Sequence, residues 1–176
     1  MRAGVSIIIT MRYDYAMHQD NPISVRVQRE SFDAGAEINA FCARNATSGG
    51  VAAFIGQMRD FRGPDRATGE KVTAMTLDHY PGMAERELAA LVAEARGRWP
   101  LDDVLVIHRF GLLVPGEPIV LVATATAHRG DAFASCAFLM DWLKTKAPFW
   151  KKEDATGSAT WVEARASDDA EAAKWR

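Results

Sequence analysis

Three observations predict an α+β chain folded as a single domain. Strand-like and helix-like hydrophobic periods alternate along it, and turn residues rather than a long linker separate them. No internal repeat or low-complexity block divides it. Together they predict six or seven strands, mostly antiparallel, and about three helices. The 176 residues suffice for one substantial core.

The elements follow in order. Residues 1–21 read as an N-terminal extension, either a disordered lead or a mis-assigned start, and the domain spans 22–176. Ile23-Ser24-Val25-Arg26-Val27 alternates as a half-buried strand does. Ser31 or Asp33 can cap a helix that carries Ile38, Phe41 and Cys42 on one side, and Gly49-Gly50 ends the loop after it. The apolar run 51–55 reads as a strand buried on both faces, leading into Gln57-Met58-Arg59. Residues 60–70 are a loop, and 72–80 alternate again until Pro81-Gly82. Leu88, Leu91, Val92, Ala95 and Trp99 keep helical spacing over 83–99, and Pro100 closes that helix. Strands at 104–109 and 119–127 flank the turn-rich 114–118. A helix from about Asp131 to Thr145 is apolar nearly all round, which suits a central position or a subunit interface. Short strands at 149–152 and 159–163 close the chain.

Composition excludes several classes. A net charge of -2 argues against a general nucleic-acid binder, so any anion site must be a local cluster of cations. Cys42 and Cys136, both in apolar helical patterns, read as buried free thiols of a reducing compartment. The N-terminal apolar run is too short for a signal-peptide core, and no run reaches the ~20 residues of a membrane span; the expected location is the cytoplasm. Four histidines (18, 79, 108, 128) lack ligand spacing, and there is no Gly-rich phosphate loop or nucleophile elbow, so neither metal nor cofactor is expected.

The candidate chemistry lies in cations at element ends. LKTKAPFWKK (143–152) sets Lys144, Lys146, Lys151 and Lys152 around Ala147-Pro148-Phe149-Trp150. Pro148 stops the helix, so Lys144 falls in its last turn and Lys151 on the extended segment beyond. Arg59 ends one strand, and His128-Arg129 end another where helix amides favour an anion. Fifteen helical residues span ~22 Å, so one helix cannot bring Arg129 to Lys144. If both serve one site, a second copy of the chain supplies one of them. Taken alone, 143–152 is equally readable as a basic helix C-terminus followed by an ordinary strand, and His128-Arg129 reads rather as a polar strand exit that caps its own helix. Arg59 could pair with Asp60 or Asp65. Asp78-His79 reads as a structural turn, His108-Arg109 as a strand end, and Glu85, Glu87 and Glu94 as a solvated helix face.

LDHYPGM (77–83), ARGRWPL (95–101), VIHRFG (106–111), AHRGDAF (127–133), MDWLKTKAPFWKKE (140–153) and WVEAR (161–165) stand in the order and spacing of the large, catalytic subunits of molybdopterin synthase. The chain resembles that family over residues 23–176. The resemblance implies an α/β hammerhead fold and a sulfur transfer that converts cyclic pyranopterin monophosphate into molybdopterin. The sulfur donor it implies is a small ubiquitin-like subunit with a C-terminal Gly-Gly thiocarboxylate, two such subunits flanking a dimer of large ones in a heterotetramer. It makes Lys144 and Lys151 the catalytic lysines. It places substrate against Gln57, Met58, Arg59, His128, Arg129, Lys144, Lys151, Lys152, Glu153 and Arg165, with the His-Arg pair from the partner protomer. Gln57 stands where a lysine is common, Lys146 where arginine is, and Asp60 where asparagine is; none of these touches the two lysines. The competing class is a non-catalytic dimeric module that holds a ubiquitin-like tail or a phosphorylated ligand without turnover.

Overall fold

The computed structural model describes residues 23–63, 65–145, 148–155, 158–162 and 171–175. Predictions for residues 1–22 and for Lys146 and Arg165 lie outside them. Strand β1 (Ile23–Gln28) leads to helix α1 (Ala34–Arg44), whose first turn is capped by the Asp33 carboxylate accepting from the Ala36 amide at 3.0 Å. Strands β2 (Gly50–Gln57), β3 (Phe61–Arg62) and β4 (Glu70–His79) follow, then helix α2 (Met83–Arg98). Strands β5 (Leu101–Arg109), β6 (Gly111–Leu113) and β7 (Pro118–Thr126) precede helix α3 (Arg129–Thr145). Strands β8 (Phe149–Ala155) and β9 (Ser158–Val162) complete the order, with one helical turn at 171–173.

Two sheets form. The first runs β1-β5-β7-β2, antiparallel except that β1 lies parallel to β5. Alternation along its central strands serves two cores. Val104, Val106, Val120 and Val122 face α2 and α3, where Leu88, Val92, Phe138 and Leu139 are almost wholly buried. Leu105, Ile107, Leu121 and Ala123 face α1 through Phe41. The second sheet is built on β4, which pairs with β3, β6 and β8, and β8 pairs with β9. Its inner residues Val72, Met75, Leu77 and Leu113 pack with Met58 and Ile119, and Ile119 also touches the first core.

Four expectations need correction. β2 is not buried on both faces: it is an edge strand, and Val51, Phe54 and Ile55 are exposed. A run of apolar residues cannot reveal that, among the described residues, no strand pairs with its outer side. Cys42 is exposed while Phe41 beside it is fully buried, because one helical step turns Cys42 off the inner face; Cys136 is buried as expected. The alternation of β4 is broken by a register shift between Val72 and Ala74, so Val72 and Met75 both face inward. Nine strands occur among the described residues, because β3 and β6 are too short to show a period.

Candidate functional site

Helix α3 organises the site, and its register on β7 follows from two contacts. The Thr124 hydroxyl donates to the Ala132 carbonyl at 2.8 Å, and the Cys136 thiol lies 3.9 Å from the Val122 carbonyl. Four residues of helix thus pass two residues of strand, about 6 Å in each case. The same step carries Met140 to the level of Val120 and Lys144 to that of Pro118. Pro118 is the register partner of Gln57. The Lys144 end of α3 therefore lies beside the Gln57 end of β2, and the His128-Arg129 end lies beside Gly50.

At that second end the backbone is crowded. A Cβ on Gly49 would sit 2.2 Å from the Ala127 carbonyl oxygen, and one on Gly50 would sit 3.1 Å from the backbone N and Cα of Arg129. Only glycine lets β2 start this close to the β7–α3 junction. The His128 carbonyl accepts from the Thr126 hydroxyl (2.7 Å) and from the amides of Asp131 and Ala132 (3.1 and 3.3 Å). The backbone of His128-Arg129 is thereby fixed while both side chains are exposed.

At the Lys144 end, Met58 is clasped by the β6–β7 turn. Its amide donates to the Glu117 carbonyl (3.0 Å), and its carbonyl accepts from the Gly116 amide (2.9 Å). The Met58 side chain is buried in the second core; Gln57, exposed, donates to the Gly116 carbonyl at 3.4 Å. Arg59 does not take either proposed carboxylate among the contacts described: Asp60 pairs with Arg66 (2.6 Å) and Asp65 accepts from Thr68 (2.8 Å). The Arg59 guanidinium instead lies 4.6 Å over the Phe61 ring and is exposed.

Lys144 is exposed in the last turn of α3 of this single chain, rather than partly buried. Lys151 is half-buried on β8, opposite Leu77 on one side and Val162 on the other. Leu77 shares its apolar cluster with Met58, so the end of β2 and the position of Lys151 meet at one core. Strand alternation puts positions 151 and 153 on the face of Leu77 and Met75, and position 152 on the opposite face with Trp150, which is 48% exposed. Within one chain, then, register sets Gln57-Met58-Arg59 beside the Lys144 end of α3, and Lys151 stands opposite Leu77, which shares a core with Met58. His128-Arg129 stand at the other end of that helix, about 25 Å away along 17 helical residues.

Sequence reasoning missed a ring cluster behind Lys151. His108 stands at the end of β5, as expected, and is buried there. Its ring stacks on Phe149 with centroids 3.8 Å apart and planes 16° apart. Burial, helped by the neighbouring His79, holds it well below the usual histidine range, at about 4, against a backbone hydrogen bond at the Arg109 carbonyl that raises it. Arg109 is equally buried, donating to the carbonyls of Arg29 and Pro118 and pairing with Glu117 at 3.4 Å. The available signal was the coincidence of His79, His108, Phe110 and Phe149 at or beside the ends of β4, β5 and β8. Burial also pushes the Cys136 thiol up to about 11, which makes it a packing group rather than a nucleophile.

Comparison with known proteins adds the family. The model described as "MoaE protein" matches residues 27–146. The chain is 50% identical over 153 residues to the molybdopterin synthase catalytic subunit of Pseudomonas aeruginosa, covering 87% of this chain and 99% of that one. It is 51% identical to the subunit of the same name from Ralstonia nicotianae, over 86% of this chain and 84% of that one. The solved molybdopterin biosynthesis MoaE protein of Burkholderia ambifaria superposes with a TM-score of 0.72 at 49% identity, covering 88% and 98% of the two chains. A fold built on α3 and two sheets, Arg59 set beside the Lys144 end of that helix, and half-identical relatives matched over most of their length lead to one conclusion: the chain belongs to the MoaE family of molybdopterin synthase catalytic subunits.

Proposed function

We propose that the chain catalyses the sulfur transfer that turns cyclic pyranopterin monophosphate into molybdopterin, in a site shared between two copies. The reading is carried by the placement of α3, which sets Lys144 beside Arg59 at one end, with Lys151 opposite Leu77, which shares a core with Met58, and holds His128-Arg129 at the other. A second copy laid across the first supplies the missing pair. The exposed apolar edge of β2 (Val51, Phe54, Ile55) and Phe133, 66% exposed in the first turn of α3, supports such a contact, since surface of this kind beside an open sheet edge is costly to leave in water.

In this scheme Arg59 and the partner's His128-Arg129 hold the cyclic phosphate. Arginine can do so through two parallel hydrogen bonds and lysine as a movable point charge. The resemblance also sets Gln57, Met58, Lys152, Glu153 and Arg165 against the substrate; within one chain Met58 is buried in the second core and position 152 lies on the face of β8 opposite position 151. The sulfur donor is a small ubiquitin-like subunit whose Gly-Gly thiocarboxylate reaches Lys144. Water or the Lys144 amine adds to the acyl carbon, whose C–S bond then breaks and leaves the sulfur with the pterin; negative charge grows on the acyl oxygen during the addition, and cations already in place stabilise it without reorganisation. Lys144 serves as general acid/base or transient amine nucleophile, and Lys151 orients substrate. No helix among the described residues is long and apolar enough to cross a membrane, and the free thiol of exposed Cys42 suits a reducing cytoplasm. Residues 22–176 form the working domain, with 1–21 an extension outside it.

Lys144→Ala, co-purified with the thiocarboxylated partner and given the pterin precursor, should lose at least about 100-fold in dithiolene formation while still binding the partner. Conversion at the unaltered rate would leave a binding module as the better description.

A further inference from the structure

Only residues 146–148 separate α3 from β8, which pairs with β4 from Phe149 opposite His79 to Ala155 opposite Val72; at its first residue a second contact reinforces that ladder. A stack of rings does this. Phe149 lies on the face of His108, which reaches across from β5 in the other sheet, at 3.8 Å and 16°. His79, the register partner of Phe149 on β4, stands 6.2 Å from that ring and 4.0 Å from Phe110. Four rings from β4, β5, the β5–β6 link and β8 thus tie the two sheets together. The imidazole cannot spin, because Nδ1 lies 2.9 Å from the Arg109 carbonyl, which can only accept, so that nitrogen carries the proton. The far side of the stack is closed by the Arg29 guanidinium, 5.0 Å over Phe110. Phe149 and Lys151 are two residues apart and share one face of the strand.

We infer that His108 is a positioning residue for Lys151: its imidazole clamps Phe149 and so fixes the tilt of the first residues of β8, two residues before Lys151, within the register that β4 imposes. The inference rests on the proposed role of Lys151 in the reaction. A side chain that only filled space at 108 would keep the core and lose the clamp. A lysine displaced by about 1 Å from its substrate loses one to two orders of magnitude in rate. Its effect reaches the reaction through Lys151, without contact to the reacting atoms.

The test is a double-mutant cycle on dimeric protein carrying its thiocarboxylated partner, read as single-turnover conversion of the pterin precursor together with KM and thermal melting. His108→Leu is expected to lower kcat at least tenfold with KM within twofold, and His108→Phe, which keeps a stacking ring, to restore kcat to within threefold of the unaltered protein. In a Lys151→Ala background His108→Leu should add less than a twofold loss, since the group it positions is gone. Phe149→Leu, which removes the partner ring, should behave as His108→Leu does and stands in for it if that variant does not fold. A loss from His108→Leu or Phe149→Leu that persists in full without Lys151, or an unaltered kcat in either variant, overturns the inference while leaving the role of Lys151 intact. Unaltered conversion by Lys151→Ala overturns the role of Lys151 itself, and the inference with it.

Discussion

A buried neutral imidazole makes acid stability depend on one residue. Unfolded, His108 takes up a proton near 6.5; folded, burial delays this to about 4. Between those values the unfolded chain binds more protons, so stability falls as pH falls, by up to roughly 3 kcal/mol. Above 6.5 the effect vanishes, and below 4 it is complete. Of the groups facing the ring, His79 from β4, itself lowered by burial, keeps this sign, and the hydrogen bond at the Arg109 carbonyl opposes it without reversing it. Urea unfolding at pH 7.5 and 4.5 should show a larger drop for the unaltered protein than for His108→Phe; parallel drops would contradict the assignment. At Gly49 the constraint is steric. Gly49→Ala forces a methyl against the Ala127 carbonyl and should cost about 2 kcal/mol or more, read as a lower melting temperature. These two residues mark what single positions disclose in a sequence. The cations at 59, 129, 144 and 151 stood out because charge beside proline or at a strand end is conspicuous. His108 did not, because stacking depends on which distant ring arrives, and Gly49-Gly50 read as an ordinary loop end because close backbone approach leaves no mark in composition.

Helix α3 is held at its lysine end by the C-terminal turn. The Trp175 indole donates to the Asp141 carboxylate at 2.8 Å and packs edge-on against Phe138 and Trp99, each at 5.7 Å, while Arg98 donates to the Trp175 carbonyl. Asp141 lies one turn before Lys144. Trp175→Ala should therefore destabilise the protein by about 2–3 kcal/mol and lower its melting temperature by roughly 4–12 °C. A melting curve that does not move would show that the strap contributes nothing. Helices were legible at this scale because their ends carry local chemistry: the Asp33 cap, Pro100 after α2 and Pro148 after α3. Strands were legible only where a period had room to show. β2 was misread because burial is decided by neighbours, and an edge strand and a central one can share the same apolar run. β3 and β6 were lost inside turns, and the shift at Val72 broke a pattern that looked continuous.

At the scale of the whole molecule, the α+β class followed from alternating periods, and the proposal of a divided site from the length of one helix. Neither needed side-chain detail. The pairing of β1 parallel to β5, and the gathering of Gln57-Met58-Arg59 with Lys144, required the sheet order itself. The central claim is that cations from two copies complete each site, and complementation tests it most directly. Lys144→Ala and Arg129→Ala chains, each inactive alone, are unfolded together, refolded as mixed dimers and assayed with the thiocarboxylated partner. Half of the dimers are then mixed, and each of those holds one doubly altered and one intact site, so activity should return to about a quarter of the unaltered level. Mixed dimers that form yet stay as inactive as either parent would mean that Lys144 and Arg129 act within one chain, and the shared site would be wrong.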